Sequence, residues 1–217
     1  MRINLFALLL GLLGICAFGT ASAQETQNFS HIDASVGAGF TEPAGHSGNN
    51  LNTGWNIDIR GGYRATENVA LDLDFNYNRW NLNSAALARF GEPGGYNTIW
   101  SVSFTPVIYG SPHWHIAPYV LAGPGVYYRN LSLTQPGLIN SLACDPFWGY
   151  CFPASFGVDQ VVASASTYKM GFNAGAGLEF PFGHSPLKVF GEARYSRMFT
   201  THGEDLAFVP VTFGLRW

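Results

Sequence analysis

Charged side chains two residues apart are the groups in this sequence that could do chemistry. Asp58 and Arg60, Asp72 and Asp74, and Glu192 and Arg194 each have this spacing, and Lys169 and Glu179 share a further run. In an extended chain, residues two apart point to the same side. Each run therefore presents acid, base or both on one face. Lining the inside of a barrel, such charges could border a gated or narrow pore. Enclosed, they would instead form an ion-pair network, because charges removed from water must find partners. A second grouping, Ser196, His202 and Glu204, offers a nucleophile, a base and an orienting acid close together in sequence. The stretch "HWH" at 113–115 could present two imidazoles from one turn, but the other histidines, at 31, 46, 184 and 202, are scattered. Beside Trp114 the pair reads more simply as a polar–aromatic turn at an interface. "GAGF" (37–40), "GPGV" (123–126) and "GAGLEF" (175–180) lack the third glycine of a dinucleotide fingerprint. No helical pattern follows them to offer its N-terminus to a phosphate. No metal or cofactor is expected.

Composition narrows the setting. Charged residues make up 12% of the 217 residues, against about 25% in ordinary soluble domains. Aromatics reach 15%, the net charge is −3, and no basic cluster occurs, so nucleic acid is not an expected partner. The first residues combine Arg2, an apolar run from Leu5 to Phe18 and the small-residue site Ala21-Ser22-Ala23. That pattern predicts a secretory signal peptide over 1–23 and a single mature domain over 24–217. Cys144 and Cys151 then meet oxidising surroundings in "CDPFWGYC". A disulfide is favoured over a metal site, which would need further ligands.

The elements that must position these groups are strands. Apolar residues recur at period two in 32–40, 55–64, 69–78, 98–108, 116–128, 168–180, 187–197 and 208–217. In 69–78, Val69, Leu71, Leu73, Phe75 and Tyr77 oppose Asp72, Asp74, Asn76 and Asn78. No helix of any length is expected. Connections after the first, third and fifth runs are long and rich in Gly, Asn and Ser, whereas those after even runs are short. The longest, 130–166, is predicted to be a loop.

The polar face carries both signs of charge among small residues, and lysine is scarce. This fits a narrow interior better than a wetted surface. The apolar face places Phe40, Trp55, Tyr63, Tyr77, Trp100, Tyr128, Phe180, Tyr195 and Trp217 near strand ends, as aromatic girdles require. The predicted fold is all-β, an eight-stranded antiparallel up-and-down transmembrane barrel. Asp58, Arg60, Asp72, Asp74, Glu179, Glu192 and Arg194 form its lumen charge network.

"PYVLAGPGVYY" (118–128), "KMGFNAGAGLEF" (169–180), "VFGEARY" (189–195) and "VPVTFGLRW" (209–217) resemble strands of the small outer-membrane β-barrels of the OmpA-like superfamily, OmpX- and Ail-type proteins included. The resemblance implies the bacterial outer membrane, contact with its lipids and lipopolysaccharide, and both termini in the periplasm. It also implies that Val209, Val211, Phe213, Leu215 and Trp217 form a signal read by the outer-membrane assembly machinery. A structural, surface-interaction or adhesion-type role is expected from the outer loops, with 130–166 and its cysteine pair as the segment for a surface ligand. Two alternatives stay open. Residues around 193–206 resemble a lipid A deacylase segment superficially, without its His-x-Ser-Asn arrangement, which leaves a lipid A-modifying enzyme. A secreted lipocalin-like carrier would show the same alternation with the faces inverted.

Overall fold

The computed structural model describes residues 32–110, 116–182, 186–200 and 205–217. The predicted signal peptide, "HWH", His184, His202 and Glu204 lie outside the described residues. Eight strands follow one another: β1 (Ile32–Ala44), β2 (Gly54–Thr66), β3 (Val69–Asn81), β4 (Gly94–Tyr109), β5 (Ala117–Cys144), β6 (Cys151–Pro181), β7 (Lys188–Met198) and β8 (Leu206–Arg216). Each pairs antiparallel with the next, and β1 also pairs with β8, from Ser35 opposite Arg216 to Ala44 opposite Ala207. The sheet is therefore closed and leaves no edge within the ring. Closure is what allows strands to sit in lipid, where an unpaired backbone group costs several kcal/mol.

Alternation fixes which side chain faces which medium. Along β3, Ala70, Asp72, Asp74, Asn76, Asn78 and Trp80 are buried inside. Leu73, Phe75 and their outward neighbours are exposed. β8 repeats the pattern: Phe213, Leu215 and Trp217 are exposed, while Thr212 and Arg216 are buried. The soluble-carrier alternative requires the inverse arrangement and does not describe this barrel.

Exterior aromatics gather where β2, β3 and β4 approach the long-loop end. The rings of Trp55 and Tyr77 lie 5.1 Å apart and those of Tyr77 and Trp100 4.3 Å apart. Tyr128 and Tyr168 continue the band at 4.5 Å. Such a belt suits the boundary between hydrocarbon and head groups.

Two expectations need correction. A helix does occur: α1 (Ser84–Phe90) spans the β3–β4 connection. Asn83 starts it by accepting from the Ala86 amide at 2.9 Å, and Gly91, at φ 69°, ends it. Its seven residues are too few to show a 3.6-residue period, but the Asn and Gly at its ends are readable start and stop signals. Secondly, 130–166 is not a loop. Strands β5 and β6 run on and stay paired from Ala117 opposite Glu179 to Cys144 opposite Cys151. Pairing of β5 with β4 ends at Thr134. Beyond it, 135–144 pairs with β6 alone, a two-stranded ribbon of roughly 30 Å at about 3.3 Å per residue.

Candidate functional site

Inside the ring the strands stack three layers. The layer nearest the long-loop end is apolar: Trp80, Ile99, Tyr127, Met198 and Phe208 pack with Leu51, Leu82, Ala86 and Leu206. The Trp80 ring meets Phe208 edge-on at 5.1 Å, and its indole N–H donates to the Thr41 carbonyl at 3.2 Å. The helix α1 contributes Ala86 to this layer.

The second layer is ionic. Arg60 on β2 spreads its guanidinium over carboxylates from three strands. Its Nε lies 2.6 Å from Asp74, and its terminal nitrogens reach Glu192 at 3.0 and 3.2 Å and Asp58 at 3.2 Å. Asp72 stands farther off, at 3.9 Å. Arg194 on β7 closes the group, binding Asp74 at 3.1 Å and also Glu192. Asn76 donates to Asp58 at 3.2 Å. Two arginines thus face four carboxylates, all at most 5% exposed. Ionised partners and the planar arginine fork make these the strong kind of hydrogen bond.

The third layer lies toward the short-turn end. Arg216 bonds Glu179 at 2.9 Å and Tyr109, and stands 3.5 Å from Asp33. Arg64 meets Asp33 at 2.7 Å, and Lys188 meets Glu179. The rings of Tyr109, Tyr119 and Phe190 surround the Arg216 guanidinium within 5.2–5.6 Å. An eight-stranded ring leaves room for little more than its own side chains. Three layers of buried side chains in series fill the described lumen.

The structure thus brings six of the seven predicted network residues into one layer and places Glu179 in the next. Asp33, Arg64, Lys188 and Arg216, outside the seven predicted residues though Arg216 belongs to the expected polar face, also join these layers. Their alternation in the strands was the available signal. Ser196 is 5% exposed and faces the lumen, beside the apolar layer, not an open rim. The glycines of the rejected phosphate motifs have a packing role. A Cβ on Gly39 would lie 1.9 Å from the Val211 carbonyl oxygen, and one on Gly123 the same distance from that of Phe104. Only glycine lets neighbouring backbones come this near.

Outside the ring, the ribbon of β5 and β6 ends in a closed tip. Cys144 and Cys151 form a disulfide. Within it, Asp145 accepts from the amides of Phe147 (2.8 Å) and Trp148 (3.1 Å), and Gly149 takes φ 69°. This fixed turn leaves Phe147 91% and Trp148 80% exposed, with Tyr150 and Phe152 beside them. From 130 to 166 the only charged residues are Asp145 and Asp159.

The chain aligns with several solved structures at low sequence identity. Neisserial surface protein A aligns with a TM-score of 0.56 at 13% identity, over 86% of this chain and 96% of that one. A major outer membrane protein of Thermus thermophilus gives 0.53 at 10%, over 86% and 97%. Ail, the attachment invasion locus protein of Yersinia pestis, gives 0.45 at 16%, over 87% and 100%. No protein of curated function matches the sequence. The outer membrane protein beta-barrel domain family matches over residues 8–217. With its closed eight-stranded ring, apolar exterior and ionic lumen, the chain belongs to the outer membrane protein beta-barrel domain family and resides in the bacterial outer membrane.

Proposed function

We propose that this protein is a surface-interaction protein of adhesion type, with the β5–β6 ribbon as its binding element. The observation that carries the reading is the disulfide-closed tip with Phe147 and Trp148 almost fully exposed. Exposed aromatics held rigid by a turn lose little entropy on binding and are the residue types that dominate recognition hot spots. In this reading the ribbon end faces outward, and the short turns and both termini face the periplasm. The short-turn end offers no comparable projecting element among the described residues.

The other assignments follow from the same orientation. Residues 1–23 direct export and leave 24–217 as the barrel. Outer-membrane lipids and lipopolysaccharide cover the apolar exterior. The outward residues Val209, Val211, Phe213, Leu215 and Trp217 form the segment that the assembly machinery reads. The ionic lumen holds the barrel shut and performs no catalysis.

The test is a cell-surface assay. Cells expressing the full chain are compared with cells in which 140–155 is replaced by a two-residue turn, which joins the paired Ile139 and Phe156. Attachment to immobilised extracellular-matrix proteins and to other cells should fall at least tenfold with barrel levels unchanged. Equal attachment in every arm would overturn the reading.

A further inference from the structure

Above the apolar layer, the mouth at the ribbon end encloses a cavity of about 320 Å³. This is at the small end of ligand-binding volumes. Its floor is apolar, formed by Leu51, Leu82, Ala86 and Leu206, with Leu131 on the wall. Its charged lining is lopsided. Arg129 points inward from β5, half-buried, and Arg89, exposed, stands at the rim on the last turn of α1. The Nε of Arg129 donates to the Asn97 side-chain oxygen at 2.8 Å, and Arg89 donates to that of Asn50 at 3.2 Å. Among the described residues neither arginine has a carboxylate partner. Among the described lining residues the one acid, Asp205, is already engaged: Arg197 holds it at 2.8 Å and the Thr200 amide at 2.8 Å.

This contrasts with the layers below, where every buried arginine meets at least one carboxylate. A partly desolvated guanidinium without an anion is costly. The geometry points to a binding site at the mouth for a small monoanionic amphiphile. Its carboxylate or sulfonate pairs with Arg129 and is flanked by Arg89, and its short alkyl or aryl body rests on the leucine floor. The ligand is a free small molecule and not a membrane lipid. The cavity opens within the ring of strand ends, whereas lipid meets the outward faces. A bare inorganic anion would leave the floor uncovered, and a neutral apolar molecule would leave Arg129 unpaired.

The experiment uses the full chain in nanodiscs of neutral phospholipid, titrated with phenylacetate by calorimetry against empty nanodiscs. The expected result is saturable, one-to-one binding. Phenylacetamide, of the same shape without the charge, should bind roughly tenfold more weakly, as loss of a charge-assisted hydrogen bond implies. Inorganic phosphate should fail to displace phenylacetate at equal concentration. Arg129→Gln should weaken phenylacetate roughly tenfold, and Arg129→Lys should retain more of the affinity. Heat-modifiable gel mobility verifies that both variants are folded. The amide and phosphate comparisons need no variant, so a misfolded Arg129→Gln does not shelter the proposal. Binding no greater than to empty nanodiscs, equal affinity for the amide, or displacement by phosphate would each overturn it.

Discussion

Replacing Arg60 by methionine is the most informative perturbation of the interior. The side chain is 2% exposed and binds carboxylates from β2, β3 and β7. Its removal leaves Arg194 alone against Asp58, Asp72, Asp74 and Glu192. Breaking a buried ion pair from one side costs about 3–5 kcal/mol, because the orphaned charges remain desolvated. That is roughly two to three and a half orders of magnitude in the unfolding equilibrium, at about 1.4 kcal/mol per decade. The layer's imbalance adds an asymmetry. Glu192→Gln lowers an excess of carboxylates over arginines, whereas Arg60→Met enlarges it. Glu192→Gln should therefore cost clearly less, although it loses bonds to both arginines. Reversible urea unfolding of the barrel in phospholipid vesicles, followed by tryptophan fluorescence, measures both. Barrels that unfold at the same urea concentration for wild type and Arg60→Met, or a larger loss for Glu192→Gln, would refute the charge reasoning.

Three further outcomes follow from packing and termini. Gly39→Ala should destabilise the β1–β8 seam by about 1–3 kcal/mol, since the new methyl meets the Val211 carbonyl, whereas Gly61→Ala, with nothing within 4 Å, should be neutral; the same urea titration compares them. Cys144→Ser with Cys151→Ser should leave barrel unfolding unchanged. It should speed proteolysis of the ribbon tip, where an eight-residue closed segment contributes about 2.5 kcal/mol of local constraint. Deleting Trp217 should lower the amount of heat-modifiable barrel in outer-membrane fractions; normal levels would remove residues 209–217 from the role of assembly signal.

The ring itself was legible because period two is written into every strand. Asp72 and Asp74 alternate with Leu71, Leu73 and Phe75, as strands do whose two faces meet unlike media. The partners within the network were less legible. Arg60 and Glu192 are 132 residues apart, and their meeting depends on register around the ring, which alternation alone leaves unset. The ribbon was hidden for a different reason. Residues 135–166 alternate poorly because neither face of a two-stranded ribbon meets a core, so no burial signal separates strand from loop. The seven-residue α1 was masked by its length, and the mouth cavity by its making: Leu51, Ala86, Arg129 and Leu206 come from four separate segments.

In the proposed orientation the ribbon tip stands outside the cell on a barrel embedded in the outer membrane. Brief chymotrypsin treatment of intact cells, followed by reduction and gel analysis, addresses it directly. Cleavage at Phe147, Trp148 or Tyr150, with the rest of the barrel protected, is the predicted result. A tip that resists protease on intact cells but is cut once the periplasm is opened would contradict the orientation and the proposed function built on it.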